Sequence, residues 1–206
     1  MGRIVRSLTH RSPVRRALVA TAIALGLWLG SWTFSYLLIG EGVLREIMAS
    51  RVPAGLLTAG PSLGLTIFSW NLLFGVGAIL IGSLVGVGRV SLGYFAPWWW
   101  AVGYGVALGT NSFVLTVPGV KYAPQLDILW SHVGGREILA YLLVAAALAN
   151  VHVWRPRRWH DLSLLRVRAF RDVRLNAAEL SCIAGALTLL AWTGRVEAAG
   201  VAAFLK

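Results

Sequence analysis

Five apolar runs, at about 17–38, 63–88, 97–117, 137–153 and 176–192, dominate this chain. Each approaches the roughly 20 residues that carry an α-helix across a bilayer. Of the 206 residues, 57% are hydrophobic and only 13% charged, and the mean hydropathy is +0.71, so little sequence is left for a soluble domain. The expected fold class is therefore all-α: a polytopic transmembrane helical bundle. Residues 1–16 would form a basic cytoplasmic segment, and 17–206 a single membrane domain with an arginine-rich cytoplasmic loop at 154–175.

The formal charge of +11 would suggest nucleic acid in a soluble protein. Here the arginines cluster beside apolar runs, the pattern that sets membrane orientation, and no soluble face exists to carry a nucleic acid. Five arginines precede the first run, Arg89 follows the second, and seven lie between Arg155 and Arg174, so 13 of the 19 basic residues fall on one side of a five-span layout. That bias predicts a cytoplasmic N-terminus, a C-terminus outside, and anionic lipid as a partner of the 154–175 loop. The first run exceeds the h-region of a signal peptide and reads as a retained anchor in the plasma membrane. Residues 41–55 place Val43, Leu44, Ile47 and Met48 on one face, as in a short interfacial helix, and the Trp98–Trp100 triplet marks a headgroup level. The single cysteine, Cys182, can form no internal disulfide.

Glycines four apart, Gly82 with Gly86 and Gly105 with Gly109, let helix backbones approach. They predict tight packing inside one bundle, with homo-oligomerisation as the alternative. Polar residues in apolar runs each need a partner: Asn71, Asn111, Glu137, Asn150, Glu179 and Glu197. Ionisable groups in hydrocarbon are costly and usually serve a purpose. The segment ILWSHVGGREILA sets His132, Gly134, Arg136 and Glu137 at the mouth of the fourth run. An outer polar cluster is expected, with Arg136 pairing Glu197 and Arg195 pairing Glu137.

Catalytic signals are weak. GPSLG, residues 60–64, matches a nucleophile-elbow pattern that needs a strand-to-helix turn absent from such a chain, and Ser62 with His132 makes a poor hydrolase pair. The four histidines have no metal-ligand spacing. No enzyme activity, cofactor or metal is expected.

In its order of features the chain resembles the stage II sporulation protein M family. Asn71 matches an early asparagine of the second span. Gly105 and Gly109 of YGVALG match an NGxxLG-like element in which Tyr104 replaces the asparagine. Gly134, Glu137 and Ala140 match part of an LPHGxxELxA-like element, with His132 one residue too far upstream and no proline before it. Glu197 takes the place of a terminal glutamate. The likeness covers about residues 65–199. It implies a non-enzymatic membrane scaffold that recruits cell-envelope proteins such as peptidoglycan hydrolases. The competing class is a transport component, a permease-like subunit or small channel, with Asn71, Asn111, Glu137 and Glu197 lining a polar route. A through-route should place polar residues on facing sides of several helices at multiple depths, whereas the polarity here lies mostly near the outer boundary, which favours the scaffold.

Overall fold

The computed structural model describes residues 2–50, 62–113, 119, 121–131, 134–157 and 163–204. Helix makes up 71% of the described residues, with a few short strands. The elements run α1 (Gly2–Leu8), α2 (Pro13–Leu38), α3 (Arg45–Ser50), α4 (Leu63–Trp70), a π-helical segment (Asn71–Val76), α5 (Gly77–Ser83), α6 (Phe95–Gly109), α7 (Leu126–Ser131), α8 (Gly135–Ala147) and α9 (Ala177–Phe204). Two antiparallel ribbons, β1 (Gly86–Val87) with β2 (Val90–Ser91) and β3 (Trp154–Pro156) with β4 (Leu164–Arg166), lie between helices. By length and composition, α2, the continuous helix from Leu63 to Ser83, and α9 can each cross a membrane.

Helix α2 opens with Pro13 at its first turn, where the missing N–H costs nothing. Ala17, Ala20, Ala24, Trp28, Trp32 and Ser35, spaced three or four apart, form its buried face. Against that face lies α6, running in the same direction. Trp98 Nε1 donates to the Ala20 carbonyl at one end (3.1 Å), and Ser35 Oγ donates to the Gly105 carbonyl at the other (3.4 Å). A methyl group on Gly105 would stand 2.5 Å from the Trp28 carbonyl oxygen, and one on Gly109 would stand 2.6 Å from that of Trp32. Gly82 packs on the Gly93 backbone and Gly86 on the His152 ring, so both spaced pairs serve contacts within the chain.

These contacts predict opposite outcomes for two nearby glycines. Gly105→Ala should destabilise the detergent-solubilised protein by about 1–3 kcal/mol, because overpacking against backbone outweighs the roughly 1 kcal/mol alanine normally gains in a helix. Gly103→Ala meets nothing within 4 Å and should be neutral or slightly stabilising. Thermal unfolding of both variants in one detergent checks the pair; equal behaviour would remove α2–α6 contact as the reason for Gly105.

Helix α8 is the centre of the bundle. Ile138, Ala140, Leu142, Val144, Ala145 and Ala146 are all buried, and the helix touches α2, α5, α6 and α9, as expected of one apolar on every side. It runs opposite to α6: Glu137 meets Tyr104, and one turn on Tyr141 meets Trp100. At 13 residues it is about 20 Å long, short of a roughly 30 Å hydrocarbon core.

Several expected boundaries move. The 137–153 run is helical only to Ala147, beyond which Val153 and Trp154 donate to the Leu84 carbonyl and lead into β3. The 97–117 run leaves the helix at Thr110, where Asn111 adopts a left-handed φ of 48°. The 63–88 run breaks into the β1–β2 turn after Ser83, and the 176–192 run continues as helix to Phe204. Within residues 1–16, α1 and the first turn of α2 form, with Leu8 and Arg16 buried. Of the 41–55 segment, α3 covers Arg45–Ser50, and residues 51–61 lie outside those described.

Candidate functional site

Glu137 is the first carboxylate of α8 and is 5% exposed. One of its oxygens, Oε1, accepts a hydrogen bond from Asn71 Nδ2, and the other, Oε2, accepts from the Tyr104 hydroxyl at 3.1 Å. Asn71 begins the π-helical segment. Such segments widen a helix by one residue per turn and recur at functional positions. One turn on, Gly75 leaves space for the Tyr141 ring, 2.5 Å from where a methyl would sit. The Tyr104 ring stacks on Trp28 (5.6 Å) and Phe113 (6.1 Å). At Gly134 a φ of 47° and the lack of a side chain admit Tyr104, whose ring lies 2.9 Å from a would-be Cβ. Glu197 on α9 is within electrostatic reach of Glu137 and Arg136, and the Arg136 guanidinium lies over the Trp192 ring at 5.1 Å.

This cluster sits inside the ends of its helices, by about 8 Å on α6, where Tyr104 is five residues from Gly109, and by more on α2 and α4. Trp28, at the level of Tyr104, is ten residues from Leu38, or about 15 Å along α2. Asn71 is eight residues, or roughly 12 Å, from the start of α4. Helix α8 starts at this depth because the preceding chain descends along α2. Trp32 Nε1 donates to the Tyr122 carbonyl (2.8 Å), and α7 then bounds, with α2 and α8, an apolar cleft of about 220 Å³ lined by Leu25, Trp28, Leu129 and Ile138.

The structure gathers Asn71, Gly134, Glu137, Arg136 and Glu197, and adds Tyr104 and Tyr141, which sequence reasoning passed over. The signal was available for Tyr104: a tyrosine hydroxyl in an apolar run needs an acceptor just as an amide does. Of the two expected ion pairs, Arg136 stands within electrostatic range of Glu197 while its guanidinium rests on the Trp192 ring, and Glu137 takes Asn71 and Tyr104 as partners while Arg195 is exposed. Two residues apart on a helix point about 200° from each other, so Arg195 and Glu197 cannot share a face. Gly105 and Gly109 pack on α2 and are not part of the cluster. His132 lies outside the described residues.

Asn111 belongs to a second polar site, at the Leu38 end. Its Nδ2 and the Gly119 N–H both donate to Glu41 Oε1, at 3.0 and 2.7 Å, and the Arg45 guanidinium stands 3.7 Å from the same oxygen. Lys121 Nζ donates to the carbonyls of Tyr36 and Ile39, closing the last turn of α2. The Gly119 N–H first, and then Asn111, hold the Glu41 carboxyl below its ordinary value of 4.5. A depressed folded value means that this contact contributes stability above pH 4.5 and loses it as the pH falls through the folded value. Limited proteolysis from pH 7 to pH 3 should show the loop opening in acid. Glu41→Gln should already be open at pH 7 and insensitive over that range; a native-like acid profile in that variant would assign the transition elsewhere.

A third site holds the opposite end. Arg16 Nη2 meets Glu179 Oε1 at 2.6 Å, both side chains buried, and joins the first turns of α2 and α9. On α8, the residues between its level and that of Tyr141 are apolar, Leu142 and Val144 to Ala147 among them buried.

Fold and site together define a helical membrane protein organised round a buried carboxylate. No family model, curated protein or solved structure matches the chain.

Proposed function

We propose that this chain is a component of a membrane transport system in which Glu137, held by Asn71 and Tyr104 beside Glu197, is the site of a proton or small cation. The observation that carries this reading is the depth of Glu137. A helix that begins inside the bundle presents its first carboxylate to a helix interrupted by a π-helical segment. Broken helices meeting polar groups near the bilayer midplane are how many transporters build ion sites. Five spans in the plasma membrane, with the N-terminus cytoplasmic and the C-terminus outside, fit the alternating directions of α2, α4–α5, α6, α8 and α9 and the gathering of arginine at the Arg16 end. The test is flux: proteoliposomes carrying a trapped pH dye, under an imposed potential, with native protein and Glu137→Gln. Native flux that the variant loses supports the reading, and absence of flux in both under proton, sodium and potassium gradients overturns it.

A second reading, a non-enzymatic scaffold similar to stage II sporulation protein M, is favoured by the apolar stretch of α8 beyond Tyr141, where Leu142 and Val144 to Ala147 are buried and carry no polar group toward Arg16. Its partners would be envelope proteins such as peptidoglycan hydrolases, co-purifying with the native form in mild detergent and lost with Glu137→Ala.

A further inference from the structure

The β3–β4 ribbon carries an unexplained surface. Its register pairs Trp154 with Arg166, Arg155 with Leu165 and Pro156 with Leu164. Successive strand residues point to opposite faces, yet Leu164 and Leu165 are 50% and 52% exposed, so the ribbon buries neither face on the bundle. Val167 and Phe170, just beyond, are about half exposed as well. Isolated two-stranded ribbons are marginal in water, and this one is also tied down: Trp154 donates to the Leu84 carbonyl, Val167 to that of Val153, and Arg168 to that of Asn150. A fixed ribbon with apolar side chains on both faces has an environment that accepts them.

Charge identifies that environment. Arg157, Arg166, Arg168, Arg171 and Arg174 are exposed on the same segment, against the described acid Asp172, which lies 3.8 Å from Arg171. The Arg166 guanidinium rests over the Phe170 ring at 5.9 Å, so one short stretch presents cation and apolar ring together. A second copy of so basic a surface would repel it. The ribbon leaves the bundle after α8 and re-enters at the start of α9, at the end where α2 and α9 begin their membrane-length helices and where α1 exposes Ile4 beside Arg3 and Arg6.

We infer that the β3–β4 ribbon and the turn after it are seated in the headgroup layer of an anionic membrane, with Leu164, Leu165, Val167 and Phe170 at the acyl boundary and the arginines on lipid phosphates. Basic residues at that level are attracted to anionic lipid, and apolar ones gain by leaving water. The inference rests on the membrane placement and is independent of what Glu137 binds.

The test uses the full chain with Cys182→Ser and Leu165→Cys, labelled with bimane, in nanodiscs of phosphatidylcholine with and without phosphatidylglycerol. With phosphatidylglycerol present, brominated acyl chains should quench the label strongly and iodide weakly, and added salt should reverse part of that difference. Arg166→Ala with Arg171→Ala should cut the bromolipid quenching by more than half. A second label at Asp172→Cys, a side chain 59% exposed, should report headgroup depth in a variant that keeps every arginine of the segment. Equal iodide quenching in both lipids overturns the inference. So does bromolipid quenching that ignores phosphatidylglycerol, or protection that appears only when an acidic soluble protein is added.

Discussion

Replacing Glu137 with alanine is expected to destabilise the solubilised protein by about 2–4 kcal/mol. The hydrogen bonds themselves are not the main term, since interhelical bonds in membrane proteins average only about 0.6 kcal/mol each. What remains after truncation decides the size. Asn71 Nδ2 and the Tyr104 hydroxyl both lose their acceptor, and a buried donor left unpaired costs on the order of 1–3 kcal/mol. Removing buried side-chain volume at the start of the central helix adds to it. Glu137→Gln keeps the volume and one acceptor oxygen, so its cost should be near 1 kcal/mol, and Tyr104→Phe, which leaves Oε2 of Glu137 as the one group short of a partner, should cost less than the alanine variant, which strands two donors. Unfolding in a denaturing-detergent titration orders the three. If alanine proves as stable as glutamine, the carboxylate is not integrated with its donors, and the site loses its structural basis.

The depth of Glu137 is also where reading the chain as a string falls short. Three of the apolar runs contain helices of membrane length, because a 20-residue apolar stretch admits few other fates. The spaced glycines were equally legible, since a four-residue repeat on a helix always shares a face. The placement of α8 was not legible: nothing in VGGREILA says that Tyr122 and α7 descend along α2 before Gly134 turns the chain. Counted from the linear sequence, Glu137 opens a span at the rim; in the fold its helix starts about 8 Å inside the end of α6 and about 15 Å inside that of α2. Tyr104 was hidden for a different reason. It occupies the asparagine position of the NGxxLG-like element, where it looks like a mismatch, yet its hydroxyl delivers a hydrogen bond to Glu137. Arg16 reads as one of the five arginines of the basic segment 1–16, yet Arg15 and Arg16 lie about 100° apart on α2 and only Arg16 turns inward to α9.

That inward turn leads to an expected result of comparable size. Glu179→Gln leaves a fully buried guanidinium without its counter-charge and should cost about 3–5 kcal/mol. Arg16→Met should cost less, about 2–3 kcal/mol. Glu179 keeps one favourable contact without the arginine: its Oε2 accepts the Asn176 N–H (3.0 Å), while Asn176 Oδ1 accepts the Glu179 N–H (2.9 Å), a reciprocal cap at the start of α9. The double variant is the informative one. Arg16 Nε and Nη1 find no acceptor among the described residues, so the pair is only partly satisfied even when intact. Buried pairs of that kind are often matched by apolar replacements, because desolvation offsets most of the Coulomb attraction. Arg16→Met with Glu179→Gln, which retains an oxygen for the Asn176 cap, should therefore recover to within about 1 kcal/mol of native stability. The cycle would give a coupling well beyond the few tenths seen for independent sites. Losses that simply add would mean that each charge is solvated on its own, and the joining of α2 to α9 would have to be credited to the apolar contacts alone.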